Sequence, residues 1–207
     1  MASNHNFSYS TIHDINKLVR SIDFSTKTNF TAYKLEGIKA LRNVKMKWDF
    51  LHAAMKFWDL EDHLFWFNTA ELYPTIEEFF AILGYDPNRK SVAISCDPKH
   101  KESLSDALSL PTSITDSMIE GHMVNLHAII SRLIDKHTYG VTDNMQKNFG
   151  LALWMVGKLL LCSGRHDFVD ARAISVVNQI KDGYNPVSLI LAETFRGLDV
   201  VFHGGET

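Results

Sequence analysis

The chain has 207 residues, 45% apolar and 22% charged, with 13 Phe, 6 Tyr and 4 Trp. That is enough apolar mass for a real core, and too much for a disordered or low-complexity chain. The net charge of −3 provides no overall field toward DNA or an anionic membrane, and two cysteines make neither a disulfide framework nor a four-cysteine zinc site.

Residues 1–10 are polar and read as a frayed tail. No basic-then-apolar secretory pattern opens the chain, so Cys96 and Cys162 are expected to be reduced thiols of an intracellular protein. From Thr11, Ile12, Ile15, Leu18, Val19 and Ile22 form a helical stripe. A connector over 23–29 leads to a second helix with Leu35, Ile38, Leu41 and Val44. A third pattern carries Met46, Phe50, Leu51, Ala54, Phe57 and Trp58. Residues 63–73 then predict one small β-hairpin: an aromatic strand from His63 to Phe67, a turn at Asn68–Thr69–Ala70, and a return through Glu71 to Tyr73.

Pro74 precedes Thr75-Ile76-Glu77-Glu78, a capping box. The Thr75 hydroxyl accepts from the N–H of Glu78, and the Glu78 carboxylate accepts from the N–H of Thr75. Ile76, Phe79, Phe80 and Leu83 form the inward face, and Gly84 supplies the stop. Residues 85–101 read as a loop with a brief extended piece at Val92–Ile94, and a short helix over 102–110 stops before Pro111. A longer helix over 118–137 is flawed at Gly121. The run FGLALWMVGKLLLC, from Phe149 to Cys162, is too short to span a bilayer and predicts a central buried helix, with Lys158 reaching outward along its stem. Asp167 or Asp170 starts the next helix, Gly183 ends it, and Asn185-Pro186 is a cap followed by a first-turn proline, with that last helix reaching about Arg196. Without an internal repeat or a Ser/Gly-rich linker, the pattern reads as mainly α, a single helical domain over 11–200 with a C-terminal tail at 201–207.

Catalytic signatures are missing. His122 and His127 are five apart and fall on different helix faces, His166 and Asp170 are too few for a zinc site, and no HExxH, CxxC, P-loop, GxGxxG or Gly-x-Ser-x-Gly pattern occurs. Ser163-Gly164-Arg165-His166 reads as a solvated turn. The acidic groups at Asp59, Glu61 and Asp62 read as the polar end of a helix leaving Trp58. Residues 1–60 carry 9 Lys/Arg against 5 Asp/Glu, concentrated at Lys34, Lys39, Arg42, Lys45 and Lys47. A basic stripe of this kind can bind phosphate backbones, but the helical phase scatters these side chains, and the wet side of an amphipathic helix is the favoured reading.

The stretch from Phe57 to Gly84 resembles the plant mobile domain family, a transposon-associated domain often labelled aminotransferase-like. The resemblance is carried by Phe57-Trp58-Asp59, by the strand with His63, Phe65 and Phe67, by the run Glu71 to Phe79 including Pro74, Thr75 and Glu78, and by Ile82-Leu83-Gly84. A second block agrees in order and spacing: the apolar helix around 151–161, Phe168-Val169-Asp170-Ala171, and Asn185-Pro186-Val187 with the run Leu191 to Arg196. The resemblance implies a helical fold with a small hairpin before a capped helix, and an origin in plant transposable elements or host genes derived from them. Some host members are nuclear and linked to transposon silencing and genome integrity. Relatives usually continue past the point where this chain stops, so it reads as a C-terminally truncated member. The family carries no established active site, and no pyridoxal-type lysine or phosphate cup is visible. The expectation is therefore a non-enzymatic protein-interaction domain without cofactor or metal. A nucleic-acid-binding module built on the 34–47 stripe is the alternative, and an enzyme of unknown class the third.

Overall fold

The computed structural model describes residues 47–95, 98–135, 143–159, 161 and 167–203. The protein is mainly α. Within the stretch read as one domain, tertiary contacts separate two compact units. Among the described residues the first unit holds 47–91 and 185–203, and the second holds 92–95, 98–135, 143–159, 161 and 167–184.

The first unit opens with α1 (Trp48–Ala54), which tightens into a 3-10 turn at Met55–Phe57. The expected hairpin is present but is part of a three-stranded antiparallel sheet: β1 (Trp58–Asp59), β2 (Leu64–Phe67) and β3 (Ala70–Leu72), in the order β1-β2-β3. Trp58 and Asp59 thus belong to a strand, not to the polar end of a helix. The Asp59 carboxylate accepts from the N–H groups of Glu61 (2.8 Å) and Asp62 (3.0 Å), folding the chain back toward β2. Next comes α2 (Ile76–Leu83), with the capping box formed as expected: Glu78 N–H to Thr75 Oγ1 is 3.2 Å and Thr75 N–H to Glu78 Oε2 is 3.0 Å. Gly84 closes the helix at φ +70°, a conformation that penalises any Cβ-bearing residue. Leu83 is buried, while Phe79 is half-buried.

The final helix, α8 (Val187–Phe202), packs on α2 and on the 3-10 turn. It runs past the expected stop near Arg196, so Val201 and Phe202 are helical, not tail. Asn185 is not its cap. This side chain is buried and donates to the Arg89 carbonyl, while its backbone N–H donates to Lys90 O at 2.8 Å and Ser91 bridges to it in parallel. The amide thus serves the backbone of the 89–91 segment, and the N-cap position of the helix is taken by Pro186.

The second unit contains α3 (His100–Leu108), α4 (Thr112–Asp116), β4 (Ile119–Glu120), β5 (Met123–Asn125), α5 (Leu126–Ile134), α6 (Asn144–Leu159), β6 (Phe168–Asp170) and α7 (Arg172–Lys181). Its three-stranded sheet, β4-β5-β6, was not expected. The helix read over 118–137 breaks at Gly121, which sits at φ +63° in the β4–β5 turn, and Asn125 caps α5 by accepting from Ala128 N–H at 2.9 Å. Likewise Phe168–Asp170 is extended, and Val124 and Val169 pair across the sheet with both side chains fully buried. Asp170 therefore ends β6 and does not cap the helix that follows, which starts after Ala171 at Arg172. Its carboxylate takes the Arg172 backbone N–H (2.8 Å) and the Arg172 guanidinium in a fork (2.9 and 2.7 Å). The guanidinium bond, outweighing burial, holds the Asp170 carboxyl below its ordinary pKa.

α6 is central to this unit, touching α3, α5, α7 and β6, and Phe149, Leu153 and Val156 are essentially inaccessible. Lys158 is the exception to the expectation. It is buried, and its ammonium donates to the Phe168 carbonyl at 2.7 Å, because β6 lies within reach of its stem. Close approach is achieved at two glycines. A Cβ on Gly150 would lie 2.4 Å from Leu133 Cδ1, and one on Gly157 would lie 2.4 Å from Val169 Cγ1 and 2.6 Å from Val169 Cβ. At the other end of the unit, Gln179 pairs with Ala93 as a strand would: Ala93 N–H donates to Oε1 and Nε2 donates to Ala93 O, each at 2.8 Å. No strand forms at 92–94, where an extended piece was expected, and the Ala93 backbone groups are met by this side chain instead.

Three sets of substitutions test this packing. Thr75→Ala should cost about 1 kcal/mol in denaturant unfolding, while Thr75→Ser keeps the hydroxyl and most of the stability. Phe79→Ala should cost less than the roughly 3–5 kcal/mol typical of a fully buried ring. Gly157→Ala should destabilise by about 1–3 kcal/mol through overpacking, and Val169→Ala in the same chain should recover part of that loss relative to Val169→Ala alone.

Candidate functional site

The first unit concentrates aromatic side chains around its sheet. Trp58 is only 5% exposed. Its ring meets Phe65 at 4.8 Å between centroids and lies over Phe195 of α8 at 6.4 Å, nearly parallel. His63, in the β1–β2 turn at φ +53°, meets the Trp58 edge at 6.0 Å and Phe195 at 5.5 Å. A single carboxylate organises the polar edges of this group. Asp199 accepts from Trp58 Nε1–H at 2.9 Å through one oxygen and contacts His63 Nε2 at 3.2 Å through the other. A buried indole N–H needs a partner, and here that partner lies 141 residues further along the chain.

The aromatic series continues outward. Phe65 stacks with Phe67 at 6.2 Å, and Phe67 touches Phe57 at 4.9 Å. Directly opposed residues of antiparallel strands share a face, so the register Phe65↔Leu72 and Phe67↔Ala70 places these four on one side, and Trp66↔Glu71 on the other. Phe67 is 38% exposed, Phe57 46%, Leu72 60% and, on the opposite face, Trp66 42%. Tyr73, Ile82 and Phe50 are exposed as well. Among the described residues, eight of the ten large exposed apolar side chains belong to this unit. Of these, Trp66, Phe67 and Leu72 lie in the sheet itself, Trp66 on one face and Phe67 and Leu72 on the other.

Of the residues singled out from sequence, Phe65, Phe67, Pro74, Thr75, Glu78, Phe79 and Gly84 all lie in the sheet and capped helix of this unit. Pro74 and Thr75 are half-buried, Glu78 and Gly84 exposed. Lys47 is exposed just ahead of α1, while Lys34, Lys39, Arg42 and Lys45 lie outside the described residues, as do Cys96, Cys162 and the 163–166 turn. His122 is exposed in the β4–β5 turn, and half-buried His127 has Nε2 at 3.4 Å from Ser131 Oγ in α5. No cluster of three or more metal-ligating side chains occurs among the described residues, and no helix among them is long and apolar enough to cross a membrane. Sequence reasoning passed over Asp199. An acidic residue late in an apolar helix gives no local sign of the tryptophan it serves.

The fold thus defines a mainly helical protein whose two units each carry a small antiparallel sheet. The chain belongs to the DUF7745 family, a domain of unknown function, whose model matches residues 15–205. No curated protein and no solved structure matches it.

Asp199→Ala removes the acceptor of a buried N–H and should destabilise by about 1–3 kcal/mol in chemical denaturation. Asp199→Asn keeps a carbonyl for Trp58 and should cost clearly less. Equal losses in the two variants would show that the Trp58 bond is not what holds α8 to the sheet.

Proposed function

We propose that this chain is a non-enzymatic protein-interaction domain, and that the aromatic sheet of its first unit is the surface it uses. The observation that carries the reading is that Phe67 and Leu72, both exposed, share one face of β2 and β3, with exposed Phe57 of the 3-10 turn against the Phe67 ring. Burying such side chains against a partner contributes roughly 25 cal/mol per Å² of apolar surface removed from water. The resemblance of the 57–84 and 151–196 blocks to the plant mobile domain family supports a transposable-element origin and a nuclear setting, with silencing or genome maintenance as the process served. The matched family brings no activity of its own to this reading.

Affinity capture from plant nuclear extract, with and without nuclease, tests it. The full chain should retain a specific protein partner after nuclease treatment. Phe67→Ser combined with Leu72→Asp should lose that partner with the fold intact by circular dichroism. Recovery that depends on nuclease-sensitive chromatin, and survives the double substitution, would replace this reading with nucleic-acid binding through the basic residues from Lys34 to Lys47.

A further inference from the structure

β3 is an edge. Among the described residues it pairs with β2 alone, and Ala70, Glu71 and Leu72 are all exposed. A strand laid against such an edge forms main-chain bonds along it and meets its side chains alternately on the two faces. On one face the newcomer would meet Ala70 and Leu72, with Phe67 behind them. On the other it would meet Glu71, with exposed Trp66 directly across.

Along the segment that carries this edge, from the sheet through α2, the acidic and basic residues are of one sign, Lys56 standing just before it. Residues 57–84 hold six carboxylates and no Lys or Arg. Glu61, Asp62 and Glu71 are exposed, and Glu77 and Glu78 follow in the first turn of α2. An opposite charge directly across a strand pair stabilises it, and a like charge destabilises it. A second copy paired antiparallel about Glu71 would set carboxylate against carboxylate, which disfavours self-association and selects a basic partner.

From this we infer that the β3 edge binds, by strand addition, an extended segment of a partner protein in which a Lys or Arg stands between two aliphatic residues. The aliphatic side chains lie over Leu72 and Ala70. The cation lies over Glu71, beside the Trp66 ring, where ion pairing and cation–π attraction act together. The inference rests on the interaction-domain reading above and gives its partner a chemistry.

The test uses the full chain and dye-labelled nonapeptides in fluorescence anisotropy at moderate salt. One peptide alternates valine with arginine, a second alternates valine with glutamate, and a third is the arginine peptide N-methylated at its valines. The arginine peptide should bind saturably and at least tenfold more tightly than either of the others. Glu71→Arg should weaken it at least tenfold and reverse the preference toward the glutamate peptide, and Glu71→Gln should fall between. Undiminished binding of the N-methylated peptide would overturn strand addition. Failure of the arginine peptide to bind, or indifference to charge at residue 71, would overturn the partner chemistry. A concentration-dependent dimer in sedimentation that Glu71→Arg disrupts would make a second copy the occupant and overturn the inference. Any of these results, with nuclease-resistant capture still dependent on Phe67 and Leu72, leaves the broader reading standing. Loss of that capture ends both.

Discussion

The first unit depends on one carboxylate. It is built from stretches separated by almost a hundred residues, and its three-stranded sheet has strands of only two, four and three residues, which need packing from another element to hold. Asp199 ties the stretches together where the contact is least replaceable, at the N–H of a tryptophan buried to 5% exposure. With the indole fixed, Phe65 and Phe195 pack on its ring, and the exposed rings of Phe67 and Phe57 follow outward in contact order. Asn185 performs the equivalent service at the other end of the returning segment by joining Arg89 and Lys90. The exposed rings are therefore carried by a sheet that is held to α8 through Trp58.

Much of this was legible in the sequence wherever the signal was local. The capping box at Thr75, the stop at Gly84, the turn at 68–69 and the buried course of 149–156 all depend on residues within a few positions of one another. The cap, the stop and the turn are settled by local bonding, and the apolar run of 149–156 announces burial by composition alone. The second sheet was missed because its strands are two or three residues long, too short to show alternation, and because the apolar residues of β5 run on into α5 in a helical phase. Gly121 was the available sign: glycine read as a flaw in a helix was the turn of a hairpin.

Long-range partnerships left no such trace. Lys158 was read as a snorkelling surface residue because a lysine in an apolar helix usually is one. The Phe168 carbonyl, brought near by β6, accepts from its ammonium and offsets part of the cost of burying it. The same holds for Gln179, whose amide replaces a missing strand beside Ala93, and for Asp199. In each case a polar side chain answers a backbone or ring group far away in sequence or on another element, and such pairings are set by topology rather than periodicity. The surface is a mixed case. Its aromatic residues stood out at once, but which of them are exposed followed only from the strand register.

The two glycines of α6 have a consequence for how this family can vary. Gly150 and Gly157 stand seven residues apart, close to two full turns, and each admits a side chain from a different element: Leu133 of α5 at one, Val169 of β6 at the other. They act as two notches cut in one shaft. Adding or deleting a single residue between them would turn one notch by about 100° relative to the other and drive a side chain into the leucine or the valine. Length changes within the 150–157 segment are thereby closed to drift, and lineages that diverge in the loops should keep this helical spacing unaltered.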